Sequence, residues 1–207
     1  LNLKELPQSL LFIGGGYIAF EFAHIAARSG AEVTIVHRGK RPLETFDKDI
    51  VKHLVDATGN LGVKLVLETE VSKIEHKDDN YITTGISNGK ETNFKSAEVF
   101  NSAGRPPAIF DLELKKAGIS FSKKGIEVNE YLQSKSNANI YSAGDAADSR
   151  GLPLTPVAVL EGHVVASNII KGNKKKVSYP PMPSVVFTLP TMATVGLLED
   201  DAKEKGY

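Results

Sequence analysis

A chain of 207 residues has room for one large or two small domains. Lys plus Arg and Asp plus Glu number 25 each, so no net field draws in nucleic acid or an anionic membrane, and no apolar run nears the ~18 residues of a bilayer span. The absence of cysteine removes any disulfide, thiolate metal site or redox thiol from this chain.

The chain opens Leu1-Asn2-Leu3-Lys4-Glu5-Leu6-Pro7, with neither an initiator Met nor a signal-peptide pattern, and is expected to be an excised piece. The run Leu11-Phe12-Ile13-Gly14-Gly15-Gly16-Tyr17-Ile18-Ala19-Phe20-Glu21 reads as an apolar strand that enters a glycine turn and leaves as a helix. Dinucleotide binding needs that order. Gly14 permits the tight turn, Gly16 lets the backbone approach a pyrophosphate, and the small Ala19 lets the helix pack on the strand. The start of the helix then offers N–H groups and the positive end of its dipole to phosphate. The spacing predicts a helix over Tyr17–Arg28, closed at Ser29-Gly30, and a β-branched strand over Glu32–Val36. Such a strand–turn–helix–strand unit of about 30 residues is Rossmann-like. The glycine pattern alone also fits a turn that binds nothing.

The end of the second strand bears on which dinucleotide is bound. An NAD site usually carries Asp or Glu there, accepting from the ribose 2′-hydroxyl. This chain has His37-Arg38-Gly39-Lys40-Arg41-Pro42. A carboxylate repels a 2′-phosphate, whereas a guanidinium grips it with paired charge-assisted bonds. The expectation is NADP, with Arg38 and Arg41 as phosphate ligands and His37 and Lys40 as weaker candidates. The nearest acid, Glu44, lies beyond Pro42 and is not expected to reach the ribose. The competing reading is a loop of solvated charges.

Residues 47–61 form the second predicted helix, with Asp47 at its positive end and Ile50, Val51, Leu54, Val55 and Leu61 on its apolar face. A buried strand follows over 63–67. Residues 71–74, 81–86 and 91–94 alternate at period two, with turns at Asp78-Asp79-Asn80 and Asn88-Gly89, an antiparallel meander. A strand over 99–103 ends at Gly104-Arg105-Pro106-Pro107, where the first domain is expected to end. Short strands are then predicted over 126–128 and 139–143, the second ending at Gly144-Asp145. Thr155 is the predicted N-cap and Pro156 the first residue of a helix running to about Ile170 and closing at Gly172. A stiff linker, Tyr179-Pro180-Pro181-Met182-Pro183, precedes a strand over 184–188, the run 191–195 and the start of a helix over 199–205. His24, His53, His76 and His163 have no catalytic spacing and are expected on helix faces or at the surface.

Taken in order, these landmarks resemble the pyridine nucleotide-disulfide oxidoreductases, the family of glutathione reductase, dihydrolipoamide dehydrogenase and mercuric reductase. Gly14-Gly15-Gly16-Tyr17-Ile18-Ala19-Phe20-Glu21 is similar to the family's NAD(P) motif, which implies cofactor contacts along Gly14, Gly15, Gly16, Tyr17, Ile18 and Ala19. The family's tyrosine lies over the flavin and moves aside for nicotinamide, a role that falls on Tyr17. Its glutamate pairs with a lysine beside the flavin, a role that falls on Glu21. The residue-level alternative for both is helix packing. Ser102-Ala103-Gly104-Arg105-Pro106 is similar to the family's Ala-Thr-Gly-Arg crossing, with Ala103 in place of its threonine. Residues 139–145, Asn-Ile-Tyr-Ser-Ala-Gly-Asp, resemble the second FAD motif, which implies that Gly144 and Asp145 meet the ribityl chain. The family often has Thr-Ser ten residues before that Asp, and this chain has Lys135-Ser136. Leu154-Thr155-Pro156-Val157-Ala158 resembles the helix start aimed at the flavin, where the dipole stabilises the negative charge of reduction. Thr155, Pro156 and Val157 are its candidate contacts.

The resemblance implies an α/β fold in three parts. These are a Rossmann-like NAD(P)-binding domain with an antiparallel meander over 1–104, the second half of an FAD-binding domain over 105–178, and the start of an α+β dimerisation domain over 179–207. It further implies a cytoplasmic, homodimeric, NADPH-dependent FAD flavoprotein that reduces a small-molecule or protein disulfide. Neither a nucleic acid nor a membrane partner is expected, and no metal. The chain would be the central portion of that enzyme, inactive by itself. Two alternatives stay open: a flavoprotein of the same fold that reduces oxygen, a quinone or a ferredoxin, and a nucleotide-binding module without turnover.

Overall fold

The computed structural model describes residues 3–207, so the opening Leu1-Asn2 lies outside the described residues. The chain divides into two compact units. One comprises the residues up to Gly104 together with Pro183–Tyr207, and the other Arg105–Met182.

The first unit is built on β1 (Ser9–Ile13), α1 (Tyr17–Arg28), β2 (Glu32–Val36), α2 (Lys48–Asn60) and β3 (Lys64–Val66). These are followed by the meander β4 (Glu70–Lys77), β5 (Asn80–Ser87) and β6 (Lys90–Ser96), and by β7 (Glu98–Asn101). Strands β3-β2-β1-β7 make a parallel sheet in that order, with Phe12 opposite Ile35 on one side and Phe100 on the other. Leu11 and Ile35 are fully buried. Ala19, Ala23 and Ala26 repeat at helical spacing on the buried side of α1, and such small side chains let a helix approach a sheet closely. On α2 the buried residues are Val51, Leu54 and Thr58. In the meander, both two-residue turns have positive φ at each central residue, 46° and 59° at Asp78 and Asp79, and 49° and 75° at Asn88 and Gly89. That is the geometry of type I′ hairpins, which Asp, Asn and Gly tolerate.

The second unit contains β8 (Phe121–Ser122), β9 (Gly125–Glu127), a 3-10 turn at Gly144–Ala146, β10 (Ala147–Asp148) and α3 (Thr155–Lys171). Its three-stranded sheet runs β10-β9-β8, beside a core of Ile109, Leu114, Ile126, Leu132 and Val164. Two expectations are corrected here. Residues 139–143 do not form a strand: their pairing is a single bridge from Tyr141 to Gln133, flanked by a Ser142 N–H bond to the Leu132 carbonyl at 3.0 Å and a Ser134 N–H bond to the Ile140 carbonyl at 2.8 Å. The Asn137 side chain accepts from the Asn139 N–H, and its carbonyl from the Ile140 N–H, so a local turn competes with the ladder. The N-cap of α3 is Leu154, extended at φ −125° and ψ 142°, and its carbonyl accepts from the Ala158 N–H. Thr155 is therefore the first helical residue and makes no capping bond.

The last stretch belongs to the first unit. There β11 (Ser184–Val186) and β12 (Met192–Thr194) form a hairpin, and α4 (Glu199–Glu204) follows. Val186 and Met192 join the core of the parallel sheet. A row of α1 side chains holds the hairpin's backbone. Glu21 Oε1 accepts from the Phe187 N–H at 2.9 Å, His24 Nδ1 from the Leu189 N–H at a long 3.5 Å, and Arg28 donates to the Leu189 carbonyl at 3.3 Å. Asp47 is the N-cap of α2 but makes no capping bond to its own helix; its Oδ1 accepts from the Glu199 N–H at 2.8 Å. Among the described residues, no helix is long and apolar enough to cross a membrane.

Candidate nucleotide-binding site

The glycine turn sits between the ends of three parallel strands. Gly14 has φ +108°, a conformation that suits glycine, and its N–H donates to the Val36 carbonyl at 2.8 Å. A Cβ at Gly14 would stand 2.5 Å from the Ser102 carbonyl oxygen and 2.8 Å from the Ala103 Cα. The turn and the crossing at residues 101–104 are thus brought into direct contact. Ser102 fixes that crossing by donating both its N–H and its hydroxyl to the Ile13 carbonyl, each at 2.8 Å. Ala103 donates to Asn101 Oδ1, and Gly104 turns away with φ +120°.

Gly16 is the N-cap of α1, and a Cβ there would meet nothing within 4 Å. No side chain caps this helix and its first turn holds no acid, so no internal carboxylate competes for its positive end. Ala19 is fully buried against the sheet, Ile18 is partly buried and Tyr17 is 40% exposed. An open groove of about 380 Å³ lies at the carboxyl ends of β1 and β7, lined by Ile13, Asn101 and Ala103 and by residues 71–74 of the meander. In open α/β sheets, ligands bind outside those ends.

In the loop after β2, both ring nitrogens of His37 have partners within the chain. Its Nδ1 accepts from the Gly15 N–H at 3.0 Å and its Nε2 lies 3.1 Å from the Arg41 carbonyl. Arg41 donates from Nη1 to the Phe46 carbonyl at 2.7 Å and from Nη2 to the Glu44 carbonyl at 3.1 Å, bracing its own loop. Arg38 and Lys40 are exposed. Glu44 folds back beside the end of β2: its Oε1 stands 2.8 Å from where a Gly39 Cβ would be. Glu21 accepts from the Phe187 N–H.

Within the second unit, the turn at Gly144-Asp145 is shaped by a residue outside the sequence reading. Glu161 is 1% exposed. Its Oε2 accepts from the Gly144 N–H at 2.6 Å and its Oε1 from the Ser149 hydroxyl at 2.6 Å and the Tyr179 hydroxyl. Burial, and then the bond to Glu161, push the Tyr179 phenol up to about 12. Gly144 has φ +62°, and a Cβ there would stand 2.9 Å from the Ala158 Cβ, so α3 packs close against the turn. Asp145 is exposed. Like α1, α3 begins without a side-chain cap and without an acid in its first turn, where Thr155, Pro156 and Val157 lie. The signal for Glu161 is in the sequence: it falls on the same helical stripe as Val157, Val164 and Asn168, all buried, and a charge on a buried stripe needs partners.

Of the histidines expected on helix faces or at the surface, His53, His76 and His163 are exposed. His24 is buried on α1, with Nε2 2.9 Å from the Thr58 hydroxyl oxygen. Its pKa is lowered by burial and then by the charge of Arg28.

The family described as pyridine nucleotide-disulphide oxidoreductase matches residues 1–162. The mercuric reductase of Staphylococcus aureus is 38% identical over 208 residues, covering 100% of this chain and 38% of that enzyme. The dihydrolipoyl dehydrogenase of Staphylococcus aureus is 35% identical over 206 residues, covering 100% of this chain and 43% of that one. Among solved structures, the HOCl-induced flavoprotein disulfide reductase RclA from Escherichia coli superposes with a TM-score of 0.83 at 29% identity, covering 99% of this chain and 46% of that chain. The chain spans about two fifths of the length of these curated relatives.

Proposed function

The chain belongs to the pyridine nucleotide-disulphide oxidoreductases, and from that premise we propose that it is the nucleotide-binding portion of an NADPH-dependent FAD flavoprotein of the disulfide reductase type. The observation that carries the reading is the glycine turn, seated on the crossing at Ser102-Ala103 and opening onto a helix start with no cap and no acid. Gly14, Gly16 and Ala19 shape the pyrophosphate site, and the helix N-terminus neutralises its charge. In this reading Ala103 and Gly104 would border the nicotinamide end, and Tyr17 would take the shielding role that the family resemblance implies. The uncapped start of α3 and the Gly144-Asp145 turn are the groups that would hold a flavin, the first by stabilising negative charge and the second by accepting from ribityl hydroxyls. Bound FAD supplies hydride acceptance and electron transfer, while this chain orients the nucleotide and excludes competing charge. The reading extends to a disulfide acceptor, to a homodimer whose interface domain begins near residue 179, and to the cytoplasm. Glu21 holds the Phe187 N–H, which ties the residue assigned to pair with a lysine beside the flavin to that segment.

Preference for NADPH rests on the exposed Arg38 and on the absence of an acid at positions 37 and 38. One observation favours NADH instead, the return of Glu44 to the end of β2. Calorimetry separates the two. Binding of NADPH at least ~tenfold tighter than NADH, about 1.4 kcal/mol, is the expected result, with the preference narrowed or reversed by Arg38→Glu. Equal affinities, with NADPH preference gained only in Glu44→Ala, would assign the site to NAD.

A further inference from the structure

The imidazole of His37 occupies a slot between two glycines. A Cβ at Gly15 would stand 2.7 Å from its Cγ, and a Cβ at Gly39 would stand 2.6 Å from its Nε2. Any larger residue at either position would have to displace the ring. Both ring nitrogens are in use. The Gly15 N–H donates to Nδ1 at 3.0 Å, so Nδ1 carries no proton. The Arg41 carbonyl, 3.1 Å from Nε2, can only accept, so Nε2 carries the proton. The other side of Gly15 is held by the same loop, for the Leu43 N–H donates to the Gly15 carbonyl at 2.8 Å.

We propose that His37 is a positioning residue for the glycine turn, fixing Gly15 between β2 and the loop that follows, and not a ligand of the nucleotide's 2′-phosphate. The inference rests on the nucleotide reading above and specifies how the turn reaches its binding shape. The N–H of Gly15 is withdrawn from any phosphate, so the pyrophosphate is met by the helix start that follows it. With both polar groups of Gly15 committed, the turn is ordered before a ligand arrives, and binding is spared that ordering. This preorganisation is blind to the 2′ position and acts equally on NADPH and NADH. A ligand of the 2′-phosphate would act on NADPH alone.

The shape of imidazole supplies the test. In His37→Asn the amide oxygen can stand where Nδ1 stands and accept from Gly15. In His37→Gln the polar group reaches only as far as Nε2 and leaves the Gly15 N–H without its acceptor. With the full 207-residue chain, calorimetry should show His37→Gln weakening NADPH and NADH alike by ~tenfold, with the ratio between them unchanged, and His37→Asn staying within about threefold of the parent for both. Hydrogen exchange reads the same contact without ligand: the Gly15 amide should stay protected in His37→Asn and exchange faster in His37→Gln. Selective loss of NADPH in either variant would overturn the inference and leave the nucleotide reading standing. So would equal losses in both variants that track their melting temperatures, the mark of a general packing role. Failure of the parent chain to bind either nucleotide would remove the nucleotide reading, and this inference with it.

Discussion

Both units contain a glycine turn that precedes a helix, and they hold it by different means. At Gly14 the turn closes a four-stranded parallel sheet, and backbone groups do most of the holding: Gly14 to Val36, Ser102 to Ile13, Leu43 to Gly15. His37 adds one side-chain acceptor. At Gly144 the neighbouring strands are two and three residues long, so little ladder is available. The shape falls to one buried carboxylate, Glu161, which gathers a backbone N–H and two hydroxyls. Where strands are long, the loss of one side chain is shared among many bonds. Where they are short, the loss concentrates at a single residue.

The largest effect should therefore follow Glu161→Ala. It leaves the Gly144 N–H and the Ser149 and Tyr179 hydroxyls without their acceptor, at about 1–3 kcal/mol for each that stays buried and unsatisfied, or ~3 kcal/mol and more in sum. The matching change in the first unit is Ser102→Ala. It removes the hydroxyl bond to Ile13 and leaves the N–H bond to the same carbonyl, so the loss should be about 1 kcal/mol or less. Urea midpoints for the two variants measure the contrast directly. Equal losses would break it.

A milder probe of the same network is Tyr179. Tyr179→Phe removes one of the three donors and should lose about 1 kcal/mol. Its titration gives a sharper reading. The folded-state pKa is raised from 10.0 to about 12, so the folded chain holds this proton over a range in which the unfolded chain has released it. The contribution to stability is whole below pH 10 and is lost as pH rises toward 12. In absorbance titrations one tyrosine should ionise late, and Tyr179→Phe should abolish that late step. A uniform titration in the parent would mean that the phenol is not held by Glu161.

Much of the first unit was legible in the sequence because its periods are long enough to be distinctive. Twelve residues of α1 and the five-residue β2 lie where the patterning put them, and Asp78-Asp79 and Asn88-Gly89 turn as their left-handed tolerance implies. The second unit is less legible because its strands are only two and three residues long. A strand over 139–143 looked plausible from composition, but a strand needs a partner of matching length, and Asn137 gives this stretch a local turn instead. The loop after β2 shows a different limit. Residue types marked His37, Arg38 and Arg41 as phosphate candidates, yet His37 and Arg41 have internal partners in the folded chain. Glu44 stands near Gly39 in the same loop. Charge type is written in a sequence; the backbone atom that a side chain turns to meet is set by the fold around it.

The smallest effect should come from His24, which belongs to the well-laddered unit but joins three of its parts. The Thr58 hydroxyl donates to the Leu54 carbonyl at 2.7 Å, so its oxygen accepts from His24 Nε2–H, and Nδ1 receives the Leu189 N–H. The neutral ring satisfies both neighbours; an imidazolium would turn Nδ1–H against the Leu189 N–H. Burial, then the Arg28 charge, lower the folded-state pKa from 6.5. Between that lowered value and 6.5 the unfolded chain binds a proton that the folded chain refuses, so stability is whole above pH 6.5 and declines as pH falls below it. The Arg28 guanidinium, which also donates to the Leu189 carbonyl, is the charged group whose repulsion deepens the decline, and added salt should soften that part. Urea midpoints at pH 7.5 and pH 5.0 for the parent and for His24→Gln isolate the residue, because the remaining histidines are common to both proteins and cancel in the difference. The parent should lose more on acidification than the variant. If the two lose the same amount, the hairpin is held by the Glu21 and Arg28 bonds alone, and His24 is ordinary packing in a unit whose ladder absorbs its loss.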